Sequence, residues 1–140
     1  MEVRSFIIDG HAVGKERPRK GKYTIYTPKR TTQFEKHVRN CYLDKYGDKH
    51  LMIGPLAVKV VSYREIIKSM SKKDKKLAMD GDIFPTKRPD IDNVMKSIMD
   101  ALNGVAYKDD KQVVDCYGYK RYCHYEGEEE YTEVTIYERE

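Results

Sequence analysis

The sequence predicts an α+β protein: one domain, residues 1–140, in which a mixed β-sheet packs against a few α-helices. Three observations lead there. Segments that alternate apolar and polar residues, such as 3–9 and 131–138, sit beside segments with a helical period, such as 91–103. The two kinds are interspersed without strict βαβ order, which favours α+β over a doubly wound sheet. Finally, 140 residues with 39% apolar and 36% charged side chains suit a single compact core under a highly charged surface.

The elements follow in order. Val3 to Asp9 reads as a strand with Phe6 and Ile8 facing a core, and Gly10 and Gly14 bracket its exit. A basic segment runs to Arg30 as a hairpin, with Gly21 in the turn and Tyr23 to Tyr26 strand-like. Thr31 or Thr32 can cap a helix reaching Tyr46 and stopped by Gly47, with Phe34, Val38, Cys41 and Tyr42 at helical spacing. Leu56 to Tyr63 is rich in β-branched residues and reads as a strand. Ser71 and Asp74 resemble a capping box for a short helix to Met79, ended by Gly81.

The next helix is led by Pro89, capped by Asp90 or Asp92, and closed by Gly104. Its wheel divides into two halves. Ile91, Val94, Met95, Ile98, Met99, Ala101 and Leu102 form an apolar half; Asp92, Asn93, Lys96, Ser97, Asp100 and Asn103 form a polar one. Val113 to Tyr125 reads as a long strand whose Val114, Cys116, Tyr117, Tyr119, Tyr122 and Cys123 compete for the core. Tyr131 to Glu138 is expected to pair back on it as a hairpin, with Thr132, Val134 and Ile136 on one face.

Charge is unevenly spread. The net charge is +4, yet residues 10–30 carry Lys15, Arg17, Arg19, Lys20, Lys22, Lys29 and Arg30 against Glu16 alone. Residues 126–140 carry seven glutamates against Arg139. The basic loop, with Tyr23 and Tyr26 interleaved, and a second cluster from Lys68 to Lys76 suit contacts to a phosphate backbone, although a solvated loop has the same composition. No run approaches the roughly 18 apolar residues of a membrane span, so no membrane partner is expected. No charged-then-apolar leader opens the chain, so a cytoplasmic location is expected. Cys41, Cys116 and Cys123 are odd in number and without metal-like spacing; they read as reduced thiols. The four histidines are scattered, and no structural zinc site is expected.

The acids near the central helix carry the chemical signal. Two lie at its head and Asp109-Asp110 follow its end, so they can converge on one cation. Aspartates at a helix start also serve as caps and dipole partners, Asp92 and Lys96 make an ordinary surface pair, and Asp-Asp suits a turn. Carboxylates without histidine or cysteine favour magnesium over zinc, with manganese as an alternative.

The wider pattern distinguishes the two. Lys87-Arg88-Pro89-Asp90-Ile91-Asp92-Asn93-Val94-Met95-Lys96, then Asp100 to Gly104, then Asp109 to Val113 resembles the RusA family of Holliday junction resolvases. Lys15 to Arg19 and Thr27-Pro28 also resemble it. The stretch around Ile66 to Met70 departs, because it lacks the family's proline and tryptophan. The resemblance implies a magnesium-dependent homodimer that nicks four-way DNA junctions in pairs. It places the catalytic, metal-holding acids on Asp90, Asp92 and Asp110 and the essential lysine on Lys96. It selects Asp110 over Asp109, which the residues themselves leave open. Lys15, Arg17, Arg19, Lys20, Lys22, Lys29 and Arg30 are the candidate DNA contacts. The alternative from the residues alone is a nucleic-acid-binding module without catalysis; a metal-dependent phosphatase or a nuclease with another substrate is a third.

Overall fold

The structure is a computed structural model. It describes all 140 residues except Tyr23, Thr27 and Asp48, and only the backbone of Tyr26. The expectations placed on Tyr23, Thr27 and the Tyr26 side chain therefore lie outside the described residues. The chain runs β1 (Val3–Asp9), β2 (Arg19–Lys20), β3 (Ile25–Tyr26), α1 (Lys29–Tyr46), β4 (Leu56–Arg64), α2 (Lys72–Met79), α3 (Ile91–Ala101), β5 (Val113–Tyr122) and β6 (Tyr131–Glu138). A 3-10 turn, Asp110–Gln112, leads into β5.

The main sheet has the order β1-β6-β4-β5. β6 is antiparallel to both neighbours, and β4 and β5 are parallel. The expected hairpin between the last two strands does not form. β6 instead inserts between β1 and β4, and β5 lies at the edge beyond β4. The reason is the connection: parallel strands need a long crossover, and α2 and α3 supply it between β4 and β5. The small β2–β3 hairpin does form, with the Gly21 amide donating to the Thr24 carbonyl at 2.6 Å.

The core lies between one face of this sheet and the helices α1 and α3. Phe6 and Ile8 from β1, Leu56, Val58 and Val60 from β4, and Val134 and Ile136 from β6 meet Phe34, Val38 and Tyr42 from α1. Val94, Met95, Ile98 and Ala101 from α3 complete it. A large apolar side chain buried this way contributes about 1.5–3 kcal/mol, so the apolar half of α3 suffices to hold its polar half in place. β5 departs from expectation, because none of its residues is fully buried and Val114 is 60% exposed. An edge strand has one neighbour only. The Met95 and Ile91 side chains pass so close to Gly118 that an added Cβ would sit 2.6 Å from the Met95 sulfur.

Two termini also differ from the sequence reading. α1 starts at Lys29, ahead of both threonines, with Pro28 at the N-cap and no side-chain cap; Thr31 is buried inside the first turn. α3 stops at Ala101 and leaves Asn103 outside the helix. The Ser71 cap of α2 is present, its side chain accepting from the Asp74 amide at 3.1 Å. Arg4 shares the inward face of β1 and is fully buried. Its guanidinium donates to the Tyr42 hydroxyl at 2.6 Å and the His50 carbonyl at 2.9 Å, and it pairs with Glu2. A buried charge of this kind persists only when its donors are satisfied.

Candidate functional site

The site is built on α3, and its first feature is a docked segment. The chain leaving β1 turns at Gly10, whose φ of +90° suits only glycine, and runs along the N-terminal half of α3. The Lys15 amide donates to the Asn93 carbonyl at 2.8 Å, and the Ser97 hydroxyl donates to the Val13 carbonyl at 2.9 Å. Between these anchors Gly14 approaches so closely that an added Cβ would lie 3.1 Å from the Asn93 Cβ and 3.2 Å from the Pro89 Cβ. Ser97 is therefore fully buried, although the helical wheel counts it among the polar residues.

This docking shapes a cleft of about 670 Å³. Lys15, Arg17, Arg30 and Arg88 line it together with Asp90 and Asn93. Composition and charge runs do not single out Arg88, though it sits inside the Lys-Arg-Pro-Asp run. The loop that carries it is held by two cations: Arg64 donates to the Arg88 carbonyl at 2.7 Å, and Lys120 donates to the Lys87 carbonyl at 2.6 Å. Arg64 is itself fixed by Glu130 at 2.9 Å. Burial opposes ionisation of Glu130, but the Glu65 amide, His11 and Arg64 outweigh it and hold the carboxyl below its ordinary pKa. The Arg88–Pro89 peptide bond is cis.

The basic residues are not alike. Arg17, Arg19, Lys20, Lys22, Lys29 and Arg30 are exposed. Lys15 is partly covered, with its ammonium 2.7 Å from Glu35 and 3.2 Å from Asp100. Burial works against that ammonium, yet hydrogen bonds to the two acids raise its pKa. Lys15 thus ties α1 to α3 as well as lining the cleft.

The acids fall at the two ends of α3. Asp90 occupies the N-cap position but makes no capping hydrogen bond, and Asp92 accepts from the Asn93 amide at 3.0 Å. Both are exposed. Lys96 is exposed one turn on, and no ion pair joins it to Asp92. Asp92, Lys96 and Asp100 form a stripe along the helix, with Asp92 and Asp100 about 12 Å apart along its axis. At the far end the Asp110 amide donates to the Asn103 side chain at 2.8 Å. Asp110 lies beside Asp109 and Asp100; burial and these two acids raise its pKa.

Asp109 has a different task. It caps the 3-10 turn, accepting from the Lys111 amide at 2.8 Å, and Gln112 completes the capping box. That backbone bond lowers its pKa. Beneath them Tyr107 is fully buried and donates to the Met99 carbonyl at 2.7 Å; burial and the charges of Asp110 and Asp100 push its pKa up, so the phenol stays neutral. The carboxylates of Asp90, Asp92 and Asp110 do not form a set with oxygens all within 4.8 Å of one another. Among the described residues the set of three that does is Asp9, His37 and Cys41. Sequence reading missed that set because its members come from two elements, although His37 and Cys41 are one helical turn apart.

Among the described residues no helix is long and apolar enough to cross a membrane. The chain matches the family model described as Endodeoxyribonuclease RusA over residues 9–137. It is also 36% identical, over 99% of its own length and 98% of the relative's, to a Bacillus subtilis (strain 168) protein described as "Uncharacterized protein YqaN". The family match spans the docked basic segment, the cleft, all of α3 and the turn after it, and the chain belongs to the RusA endodeoxyribonuclease family.

Proposed function

We propose that the protein is a magnesium-dependent endonuclease that resolves four-way (Holliday) DNA junctions by paired nicks, acting as a homodimer. The observation that carries this reading is the docking of the basic segment on the acid-bearing helix. It sets Arg17, Arg30 and Arg88 around a cleft that also contains Asp90. Arginine and lysine contacts position a phosphate backbone without reading its sequence, which suits a substrate recognised by its branching. Family membership supports the nuclease activity.

The donor set fits magnesium. Asp90, Asp92 and Asp110 offer only carboxylate oxygens, the ligands a small hard cation takes, and manganese accepts the same set. Asp110 lies at the other end of α3 from Asp90 and Asp92, about 12 Å along its axis, so the three reach one ion only by rearrangement or across the two protomers of the dimer. Asp90 and Asp92 are exposed, and Asp90 is free of a capping bond, so its side chain can turn toward a ligand. Magnesium bound there would neutralise charge on the phosphate and activate a water for attack. The protein's own groups do the rest. The arginines hold the phosphates on either side of the scissile bond. The Lys96 ammonium, unpaired with Asp92, stabilises negative charge developing on a phosphoryl oxygen. Lys15 neutralises Asp100 and so lessens the repulsion that the acid stripe exerts on DNA.

The test is to incubate the protein with a labelled four-way junction and with linear duplex, each in magnesium and in chelator. Junction cleavage in magnesium only, with the duplex intact, is expected. Junction binding without cleavage under every metal condition would leave a binding module in place of the enzyme.

A further inference from the structure

We propose that Asp9, His37 and Cys41 form a second metal site, for a zinc-type transition cation, that fastens the end of β1 to α1. The site lies outside the acids assigned to magnesium, and its donors are of another class. Asp9 is the last residue of β1, and His37 and Cys41 occupy successive turns of α1. One ligand atom from each lies within 4.8 Å of the others.

The triangle they form has the size a metal requires. His37 Nε2 is 3.1 Å from Asp9 Oδ1, Cys41 Sγ is 3.8 Å from that oxygen, and Cys41 Sγ is 3.7 Å from His37 Nε2. A tetrahedral zinc with ordinary bond lengths separates nitrogen and oxygen by about 3.3 Å, sulfur and oxygen by about 3.5 Å, and sulfur and nitrogen by about 3.6 Å. Each separation is thus within a few tenths of an ångström of the requirement. The sulfur also lies 3.9 Å from His37 Nδ1, and Nε2 lies 3.0 Å from the Asp9 carbonyl, so the imidazole has to turn to aim its lone pair at the cation.

The chemistry selects the metal. A thiolate and an imidazole prefer zinc, cobalt(II) or nickel(II) to magnesium, and one carboxylate adds charge. The Asp9 and His37 side chains are 85% and 42% exposed, so a cation reaches them from solvent and a water completes the fourth position. Binding expels the thiol proton to solvent. The mechanical consequence falls on the basic segment, which begins one residue beyond Asp9 at Gly10. Pinning Asp9 to α1 fixes the root of the segment that docks on α3.

The full chain, stripped with chelator and held in excess magnesium to occupy the oxygen-donor acids, is titrated with cobalt(II). One equivalent is expected to produce a near-ultraviolet sulfur-to-cobalt charge-transfer band that zinc abolishes. Cys41→Ser is expected to lose the band, and Asp9→Asn, which keeps the thiol, to weaken cobalt binding at least about tenfold. Cys116→Ser, altering the exposed cysteine, is expected to retain both. Zinc should also raise the unfolding midpoint of the parent protein and leave that of Cys41→Ser unchanged. Absence of the band, a band that survives in Cys41→Ser, or a band lost in Cys116→Ser overturns the proposal.

Discussion

Asp109 and Asp110 share a side chain and differ in surroundings. Asp109 spends its carboxylate on the Lys111 amide, whereas Asp110 faces Asp100. Replacing each by asparagine separates the roles. Asp110→Asn is expected to abolish cleavage in magnesium while junction binding in chelator survives or tightens. The raised pKa of Asp110 means that ionising it costs folded-state stability. That stability is fully present below the ordinary carboxyl range and lost as pH rises through the folded pKa. At neutral pH the amide should therefore leave the unfolding midpoint unchanged or raise it. Asp109→Asn should instead keep cutting; normal cutting by Asp110→Asn with a dead Asp109→Asn would exchange the two assignments. Lys96 allows a parallel test. Because it makes no ion pair with Asp92, Lys96→Met should change stability by less than about 1 kcal/mol. Its cleavage rate should fall by about 10²–10³-fold with only a modest loss of junction affinity. A wild-type rate would remove Lys96 from the chemistry. At this scale the sequence showed which residues are polar but not what each one holds. Ser97 and Asn93 read as part of the polar half of the helix; in the structure the Ser97 hydroxyl holds the Val13 carbonyl and the Asn93 backbone carbonyl holds the Lys15 amide, contacts with residues some 80 positions away.

Elements were easier to find than their partners. The alternation in β1 and β6 and the two-sided wheel of α3 are local patterns, and they appear where local physics puts them. Pairing is not local. Alternation in the last segment and the turn around Gly127 suggested a hairpin of β5 and β6, but the crossover through α2 and α3 sends β5 to the far side of β4. The charge of residues 10–30 was legible as well; its docking depended on Gly14, whose role is an absence of side chain at a close approach. Arg17 and Arg19 are exposed on this segment, with Arg19 only 3.4 Å from Glu16 and well hydrated. Replacing both with alanine should weaken junction binding. The slope of log K against log salt should fall by about 0.9 for each DNA phosphate that the two arginines had neutralised. An unchanged slope, read from titrations at several salt concentrations, would place the DNA elsewhere.

In the whole molecule the two charge extremes are handled differently. Three of the seven glutamates of residues 126–140 turn to the protein's own side chains: Glu126 pairs with Lys75, Glu130 pairs with Arg64 and contacts His11, and Glu128 contacts His124. The basic segment keeps most of its charges exposed, so a net charge of only +4 coexists with a strongly basic cleft. On the proposed reading one such cleft addresses one strand, while a four-way junction presents two symmetric ones, and a two-fold dimer would meet that symmetry. Sedimentation at micromolar concentration is expected to give twice the chain mass of 16.5 kDa. A monomer that still makes symmetric paired nicks would rule the dimer out.

The position of β6 bears on when the protein becomes a nuclease during its own synthesis. β1 is made first, yet its partner is the last strand, with Val3 opposite Tyr137. At about 5–20 residues per second a ribosome needs on the order of ten seconds to travel between them. Until β6 arrives, β1 and β4 have nothing between them. Glu130, just ahead of it, is also missing, and Arg64 lacks the partner that fixes it as it holds the Arg88 loop. The nascent chain therefore carries Asp90, Asp92, Lys96, Asp110 and the basic segment before β6 is there to complete the sheet, and cutting is expected to wait for β6. A chain truncated before Glu130 is expected to lack native circular dichroism and all junction cleavage. Native-like spectra from that fragment would show that residues 1–129 assemble without the strand that closes the sheet.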